Sequence, residues 1–205
     1  MDDVRNDTMT DHPEPGPAAW FAPESTIWVP LPLEFPNDRF ETVESWALEL
    51  SVEWGTSMGA DAWAREKFVH VAIGLAGADS PLEGAVARWW FLPEDPNLRA
   101  VVHAYAVDIE DAAGALRDHA EFYATDGYDD PELRRLVPIE LAAFEHAVAS
   151  VAVVEIPDRG SAIVARTIGA VDDGLYMVEA LDTRPAVSAV VAEHLPDLLG
   201  AIRFG

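Results

Sequence analysis

Three apolar segments joined by two short loops constrain the fold of this chain more than any other feature. The segments lie within residues 149–183, and the loops read Asp158-Arg159-Gly160 and Asp172-Asp173-Gly174. A three-residue hairpin loop needs a residue such as Gly at its left-handed last position, and both loops supply one. The pattern therefore predicts an antiparallel meander of three strands.

A second antiparallel unit precedes the meander. Two apolar segments within residues 85–109 flank a loop at 93–97 that contains two prolines, which predicts a hairpin. If this loop sets the register, Leu92 faces Leu98. That one contact then fixes the pairing of all the remaining residues in the two strands.

This register predicts a candidate ligand site on one face of the hairpin. That face would be aromatic with two polar tips, and its candidate residues are Trp89, Phe91, His103 and Tyr105. Aromatic rings can bury a small ligand while polar groups orient it. The alternative is that all four side chains belong to the core, with the His and the Tyr hydrogen-bonded internally.

Apolar periodicity predicts at least four helices. Residues 38–54 fit either a helix with Asp38 as N-cap or an alternating strand, and their Glu-rich composition favours the helix. In the next helix, Trp63 and Phe68 are expected to face the interior. That helix spans residues 60–77. Two more helices are predicted at 111–125 and 184–204, the last either continuous or broken near Pro196.

Together these segments predict an α+β domain. Its antiparallel sheet would have about five or six strands, built from the hairpin at 85–109 and the meander at 149–183, with helices covering both faces. Residues 1–24 are acidic and Pro-rich, which predicts a flexible tail and leaves 25–205 as a single domain. The tail lacks the apolar segment of a secretory signal, so a cytoplasmic location is expected.

Composition limits the classes of partner. The chain of 205 residues has a formal net charge of -24 and no cysteine. Such a charge repels phosphate backbones and anionic lipid headgroups, which argues against nucleic acid and membrane surfaces and favours a basic protein partner. The absence of cysteine excludes disulfides and thiolate metal sites. Neither a Gly-rich dinucleotide motif nor a P-loop occurs, so no cofactor is predicted.

One short motif is a candidate for catalysis. Residues 55–59 match G-x-S-x-G, the pattern that places a nucleophilic serine on a strand-to-helix turn. Ser57 would be that nucleophile only if a strand ended at Gly55. The alternative is a turn between helices in which Thr56 or Ser57 caps the next helix.

A pair of side chains is a weak candidate for metal binding. Glu66 and His70 stand four residues apart in a predicted helix and so share a face, as metal ligands can. Two ligands do not make a site, and the sequence predicts no metal centre.

The order of elements resembles a known fold. A hairpin, a helical insertion, a meander and a terminal helix ending in LLGAIRF, within residues 84–204, are similar to the α/β/α sandwich of the PsbP-like proteins. The resemblance implies a binding or accessory role without catalysis. The sequence thus favours a non-enzymatic interaction protein, with a ligand-binding domain using Trp89, His103 and Tyr105, or a serine hydrolase using Ser57, as alternatives. It leaves the oligomeric state open.

Overall fold

The structure is a computed structural model that describes residues 19–23, 27–78, 80–93, 95–109, 116–125, 133–156, 160–172 and 174–204. Its strands are β1 (Ala19–Phe21), β2 (Trp28–Leu31), β3 (Ala85–Phe91), β4 (Ala100–Asp108), β5 (Arg134–Ile139), β6 (His146–Ile156), β7 (Gly160–Val171), β8 (Gly174–Asp182) and β9 (Ile202–Phe204). Its helices are α1 (Val43–Met58), α2 (Ala62–Ala76), α3 (Leu116–Thr125) and α4 (Pro185–Gly200).

Seven strands form one antiparallel sheet in the order β2-β3-β4-β8-β7-β6-β5, and β1 pairs with β9 in a separate ribbon. The predicted α+β class is confirmed, but the predicted count of five or six strands is wrong. The sequence pattern does not reveal β5, because Arg134, Arg135 and Pro138 interrupt the apolar residues there. Both edge strands contain a proline, which suits an edge because proline cannot donate to a ladder.

The meander is present as β6, β7 and β8. Gly160 has a left-handed φ of +81°, as the first loop requires. In the second loop the left-handed residue is Asp172, at φ 53°, while Gly174 already pairs with Val171 as the first residue of β8. The second loop is therefore shorter than predicted, and Asp tolerates this conformation better than most residues do.

The predicted register of the β3–β4 hairpin is wrong by one residue. Trp89 pairs with Val102, and Trp90 pairs with Val101. The connection contains a short 3-10 helix at Pro96–Leu98, which moves the pairing away from Leu92 facing Leu98. Because side chains alternate between faces, a slip of one residue transfers a whole set of side chains to the other face.

Alternate residues of the strands pack into different clusters. Trp89, Phe91 and Val178 belong to one cluster with Val191 and Leu195 of α4. On the other side of the same strands, Trp90 packs with α1 and α2 in the cluster of Trp46, Ala47, Phe68 and Ala72. The third cluster joins α3 to β7 and β8 and contains Ala120, Ala124, Ile168, Leu175 and Met177.

Several predicted boundaries change in detail. The N-cap of α1 is Thr42, which forms a capping box with Ser45, and not Asp38. Trp63 is exposed, contrary to the prediction, whereas Phe68 is buried. Pro196 lies within α4, and residues 202–204 leave the helix to form β9.

The N-terminal boundary also differs. Residues 19–21 lie within the predicted tail, yet they form β1 and pair with β9. Residues 1–18 and 24–26 are outside the described part of the chain, as are residues 111–115, the first third of the helix predicted at 111–125.

Candidate functional site

Five buried polar side chains lie opposite one another across the middle of the sheet. The register places Arg88 opposite His103, His103 opposite Glu179, Glu179 opposite Arg166, and Arg166 opposite Ser150. Directly opposite residues of antiparallel strands project from the same face. We call this line the polar row; none of its five residues is more than 7% exposed.

One end of the polar row holds the C-terminus of α2. The guanidinium of Arg88 donates through Nη1 to the carbonyl of Ala78 at 2.9 Å and through Nη2 to the carbonyls of Ala76 at 3.1 Å and Pro32 at 2.5 Å. The last carbonyls of a helix lack partners within the helix, and a cation there is favourable. Burial lowers the pKa of Arg88, because desolvation penalises its charge.

The other end of the polar row holds the C-terminus of α3. Arg166 donates through Nε to Glu179 Oε2 at 2.5 Å and through Nη1 to the carbonyl of Tyr123 at 2.9 Å. Ser150 Oγ donates to the carbonyl of Ala124 at 2.8 Å. Two helices are therefore attached to one line of polar side chains, each by its last carbonyls.

His103 occupies the middle of the polar row. Neither of its ring nitrogens has a hydrogen-bond partner among the described residues. Burial, and then the charge of Arg88, lowers its pKa from 6.5 to about 4. The imidazole is therefore neutral at pH 7, with one nitrogen available as a donor and the other as an acceptor.

Tyr105 lies two residues from His103 on the same face, with 6.5 Å between the ring centroids. Its hydroxyl accepts a hydrogen bond from the backbone N–H of Leu82 at 3.4 Å. Burial, and then the charge of Glu179, raises the pKa of Tyr105 to about 12. It is therefore neutral throughout the physiological range.

The structure does not bring the four predicted ligand-binding residues together. Trp89 and Phe91 lie on the face that packs against α4, where the Trp89 ring is 4.8 Å from that of Phe21. His103 and Tyr105 project from the opposite face, because the true register differs from the predicted one by one residue. Their role in ligand binding stays a prediction.

Ser57 lies in the last turn of α1, where its Oγ donates to the carbonyl of Trp54 at 2.8 Å. Thr56 Oγ1 similarly donates to the carbonyl of Val52 at 2.7 Å. The segment before Ser57 is helical, so the strand-to-helix turn of a nucleophilic serine is not formed here. The cap of α2 is Asp61, so the alternative role of Thr56 or Ser57 as that cap is wrong.

Glu66 and His70 lie exposed on α2. Among the described residues, no group of three or more His, Asp or Glu side chains could hold a metal ion. The pair therefore has no third ligand within that part of the chain.

A groove opens between β2, the segment at 32–42 and α1, and its volume is about 420 Å³. We call it the acidic groove. Its apolar lining consists of Val29, Pro30, Leu31, Pro32, Leu33, Phe40, Trp46 and Leu50. Its polar lining consists of Glu34, Asn37, Arg39, Glu49 and Glu53.

The carboxylates of the acidic groove outnumber its cations. Arg39 forms an ion pair with Glu49, and its Nη2 is 3.9 Å from Oε1 of Glu53. Glu34 is the third carboxylate, so the lining has a formal charge of -2. All four side chains are exposed, which makes these ion pairs weak and easily rearranged.

Sequence reasoning missed both the polar row and the acidic groove. Glu49 and Glu53 stand one helical turn apart, and this spacing was the available signal for a carboxylate pair on one helix face. The apolar floor of the groove comes from three separate segments, which no local pattern connects.

In comparisons with known proteins, no family model matches the chain, and no curated sequence matches it significantly. None of the helices in the described part of the chain is long and apolar enough to span a membrane.

Proposed function

We propose that this protein binds a basic, amphipathic segment of a partner protein in the acidic groove. The supporting observation is an apolar floor bordered by exposed carboxylates, in a groove of about 420 Å³ that is open to solvent. Apolar side chains of the partner would fill the floor, while its lysines and arginines would meet the rim.

Exposed apolar side chains favour a protein segment as the occupant. Leu33 lines the groove with about half of its surface exposed. Leu48 and Val52, which precede Glu49 and Glu53 on α1, are also exposed, although they are not part of the groove lining. Apolar surface gathered around a groove and bordered by charge is typical of interaction sites.

Charge selects among possible occupants. The chain carries a net charge of -24, which steers a basic partner toward it and repels a second copy. Residues 1–18 contain five acidic side chains and one arginine, so like charge also disfavours the chain's own N-terminal segment. A basic segment from another protein is the occupant that the charges favour.

The edge of the sheet favours binding through side chains. The N–H of Leu92 donates to the carbonyl of Ile27, so in this register Val29 and Leu31 also bond to β3. The backbone of Pro30 therefore faces the outer edge, where it offers no N–H donor. A partner strand adding to β2 would lack that hydrogen bond, whereas docking into the groove does not need it.

This proposal makes the protein an interaction protein and assigns it no reaction. The resemblance to PsbP-like proteins, whose members bind partners or serve as accessory subunits, agrees with it and stays a prediction, as does a cytoplasmic location. The helical position of Ser57 gives the hydrolase alternative no support.

Fluorescence anisotropy with a labelled peptide, in which lysines flank two leucines, tests the proposal. We expect Glu49→Gln with Glu53→Gln to weaken binding roughly tenfold, since each exposed ion pair contributes about 0.2–1 kcal/mol. The matched control is Glu193→Gln with Asp197→Asn, which neutralises two exposed carboxylates one turn apart on α4.

A second pair of variants tests the apolar floor. Leu33→Ser should weaken peptide binding, whereas Leu82→Ser, which also changes an exposed leucine but lies outside the groove, should not. Equal losses in the groove variants and in their controls would show that the peptide senses only overall charge and apolarity, and would refute the proposal.

A further inference from the structure

We propose that the Arg88 end of the polar row binds a small monovalent anion, either a halide or a short carboxylate such as formate. The anion would accept hydrogen bonds from Arg88 Nε, from Trp90 Nε1 and from one ring nitrogen of His103. This site is separate from the acidic groove and does not depend on the function proposed for it.

The first argument is a cluster of unpaired donors. Arg88 Nε, Trp90 Nε1 and both ring nitrogens of His103 are buried and have no hydrogen-bond partner among the described residues. Buried polar atoms are nearly always paired, so several orphans on two neighbouring strands need an explanation. Two of these groups can only donate, and the neutral imidazole donates through one nitrogen, so the missing partner is an acceptor.

The second argument is their placement on one face. Arg88 and Trp90 are two residues apart on β3, so they project from the same side of the sheet. His103 is the direct cross-strand partner of Arg88, and it senses the charge of that guanidinium. All three side chains are at least nine-tenths buried.

The third argument is charge. The polar row contains two guanidinium groups and one carboxylate, and that carboxylate bonds to Arg166. Within the described residues Arg88 forms no ion pair; the groups that its Nη atoms contact are neutral carbonyls. A buried charge without an opposite charge is costly, and an anion would remove that cost.

The neighbouring carboxylate does not oppose this assignment. Glu179 is opposite His103 on β8, but its charge is compensated by Arg166 on the far side of the row. The charge of Glu179 helps to raise the pKa of Tyr105, whereas the charge that helps to lower the pKa of His103 is that of Arg88. The anion is therefore placed toward β3, between Arg88 and Trp90.

Thermal unfolding in different sodium salts tests the proposal. The protein is dialysed into sodium gluconate, whose anion is much larger than bromide or formate, and is then titrated with bromide or formate at constant ionic strength. We expect the Tm to rise saturably with at least one of the two anions. The anion with the lower half-saturation concentration identifies the occupant as a halide or a carboxylate.

Two conservative variants of neighbouring tryptophans locate the effect. Trp90→Phe removes the orphan N–H and should raise the half-saturation concentration about tenfold, as expected for loss of a hydrogen bond to a charged group. Trp89→Phe makes the same change on the opposite face of β3 and should leave it unchanged. Crystals soaked in bromide should show an anomalous peak within hydrogen-bonding distance of Arg88 Nε.

Three results would overturn the assignment. One is a Tm that responds to bromide and formate no more than to gluconate. Another is an equal response of the Trp90→Phe and Trp89→Phe proteins. The third is bromide that binds only at places other than the Arg88 end of the polar row.

Discussion

Two arginine–glutamate contacts in this molecule share the same chemistry and differ in burial. In the acidic groove, the side chains of Arg39 and Glu49 are 67% and 46% exposed. In the polar row, those of Arg166 and Glu179 are 7% and 2% exposed. Water competes for the first pair and is excluded from the second, so the same two residue types can serve different purposes.

The difference in burial determines which pair can be exchanged. An exposed ion pair contributes about 0.2–1 kcal/mol, so a basic side chain from a partner can replace Arg39 at little cost. Breaking a buried pair costs roughly 3–5 kcal/mol, because one charge is left without compensation. The groove therefore suits reversible binding, and the polar row suits the fixed attachment of helices.

The largest expected effect comes from breaking the buried pair. Arg166→Met leaves Glu179 buried without its cation and removes the hydrogen bond to the Tyr123 carbonyl, so we expect a loss of roughly 3–5 kcal/mol in the free energy of unfolding. Urea denaturation measures this loss. Adding Glu179→Leu should recover most of it, because both charges are then gone; a loss below about 1 kcal/mol in the single variant would contradict the comparison.

His103 makes the buried row sensitive to acid. Its pKa in the folded state, about 4, lies below its ordinary value of 6.5, so the unfolded chain takes up the proton first as the pH falls. Stability present above pH 6.5 is therefore lost progressively toward pH 4, by about 3 kcal/mol in total.

The difference between wild type and a His103→Leu variant isolates this contribution, because carboxylates that titrate in the same range affect both proteins. Denaturation at pH 7, 5.5 and 4 should show the free energy of unfolding falling more steeply in wild type. Parallel profiles would mean that His103 does not titrate as its burial implies.

Arg88 provides an intermediate case, since it is buried yet contacts only carbonyls among the described residues. Arg88→Met leaves those carbonyls short of donors but removes a desolvated charge, so we expect a loss of about 1–3 kcal/mol, smaller than for Arg166→Met. Urea denaturation of the two variants side by side gives the order. A larger loss for Arg88→Met would show that the loss of stability does not depend on whether the group that the arginine contacts is charged.

The smallest effect on stability is expected for Arg39. Arg39→Ala should change the free energy of unfolding by less than about 1 kcal/mol, because its ion pairs are exposed. It should also tighten binding of the basic peptide about threefold, since Glu49 and Glu53 no longer contact an internal cation. Anisotropy measures the affinity; weaker binding would show that Arg39 contacts the partner itself.

Local patterns predicted the elements built from contiguous residues. The meander and the β3–β4 hairpin follow from apolar segments bounded by loop residues, and α1 from its composition. Register is a finer property, since it depends on how many residues the connection absorbs. The 3-10 helix at Pro96–Leu98 changed that number by one and so divided the predicted ligand site between two faces.

The two candidate sites lay beyond local patterns for a different reason. The polar row takes one residue from each of five strands, from Arg88 on β3 to Ser150 on β6, and only the complete strand order aligns them. The acidic groove joins an edge strand, which contains Pro30, to a helix that follows it. Each contributing segment looks ordinary by itself, because an isolated Arg, His or Glu in a sequence is usually a solvated side chain.

A charge swap in the acidic groove tests the proposed function most directly. The Glu49→Lys, Glu53→Lys protein is titrated with the basic peptide and with a version in which every lysine is replaced by glutamate. We predict that the variant loses affinity for the basic peptide and gains affinity for the acidic one, which wild type does not bind. If the variant binds the basic peptide as tightly as wild type does, the groove is not where the partner docks.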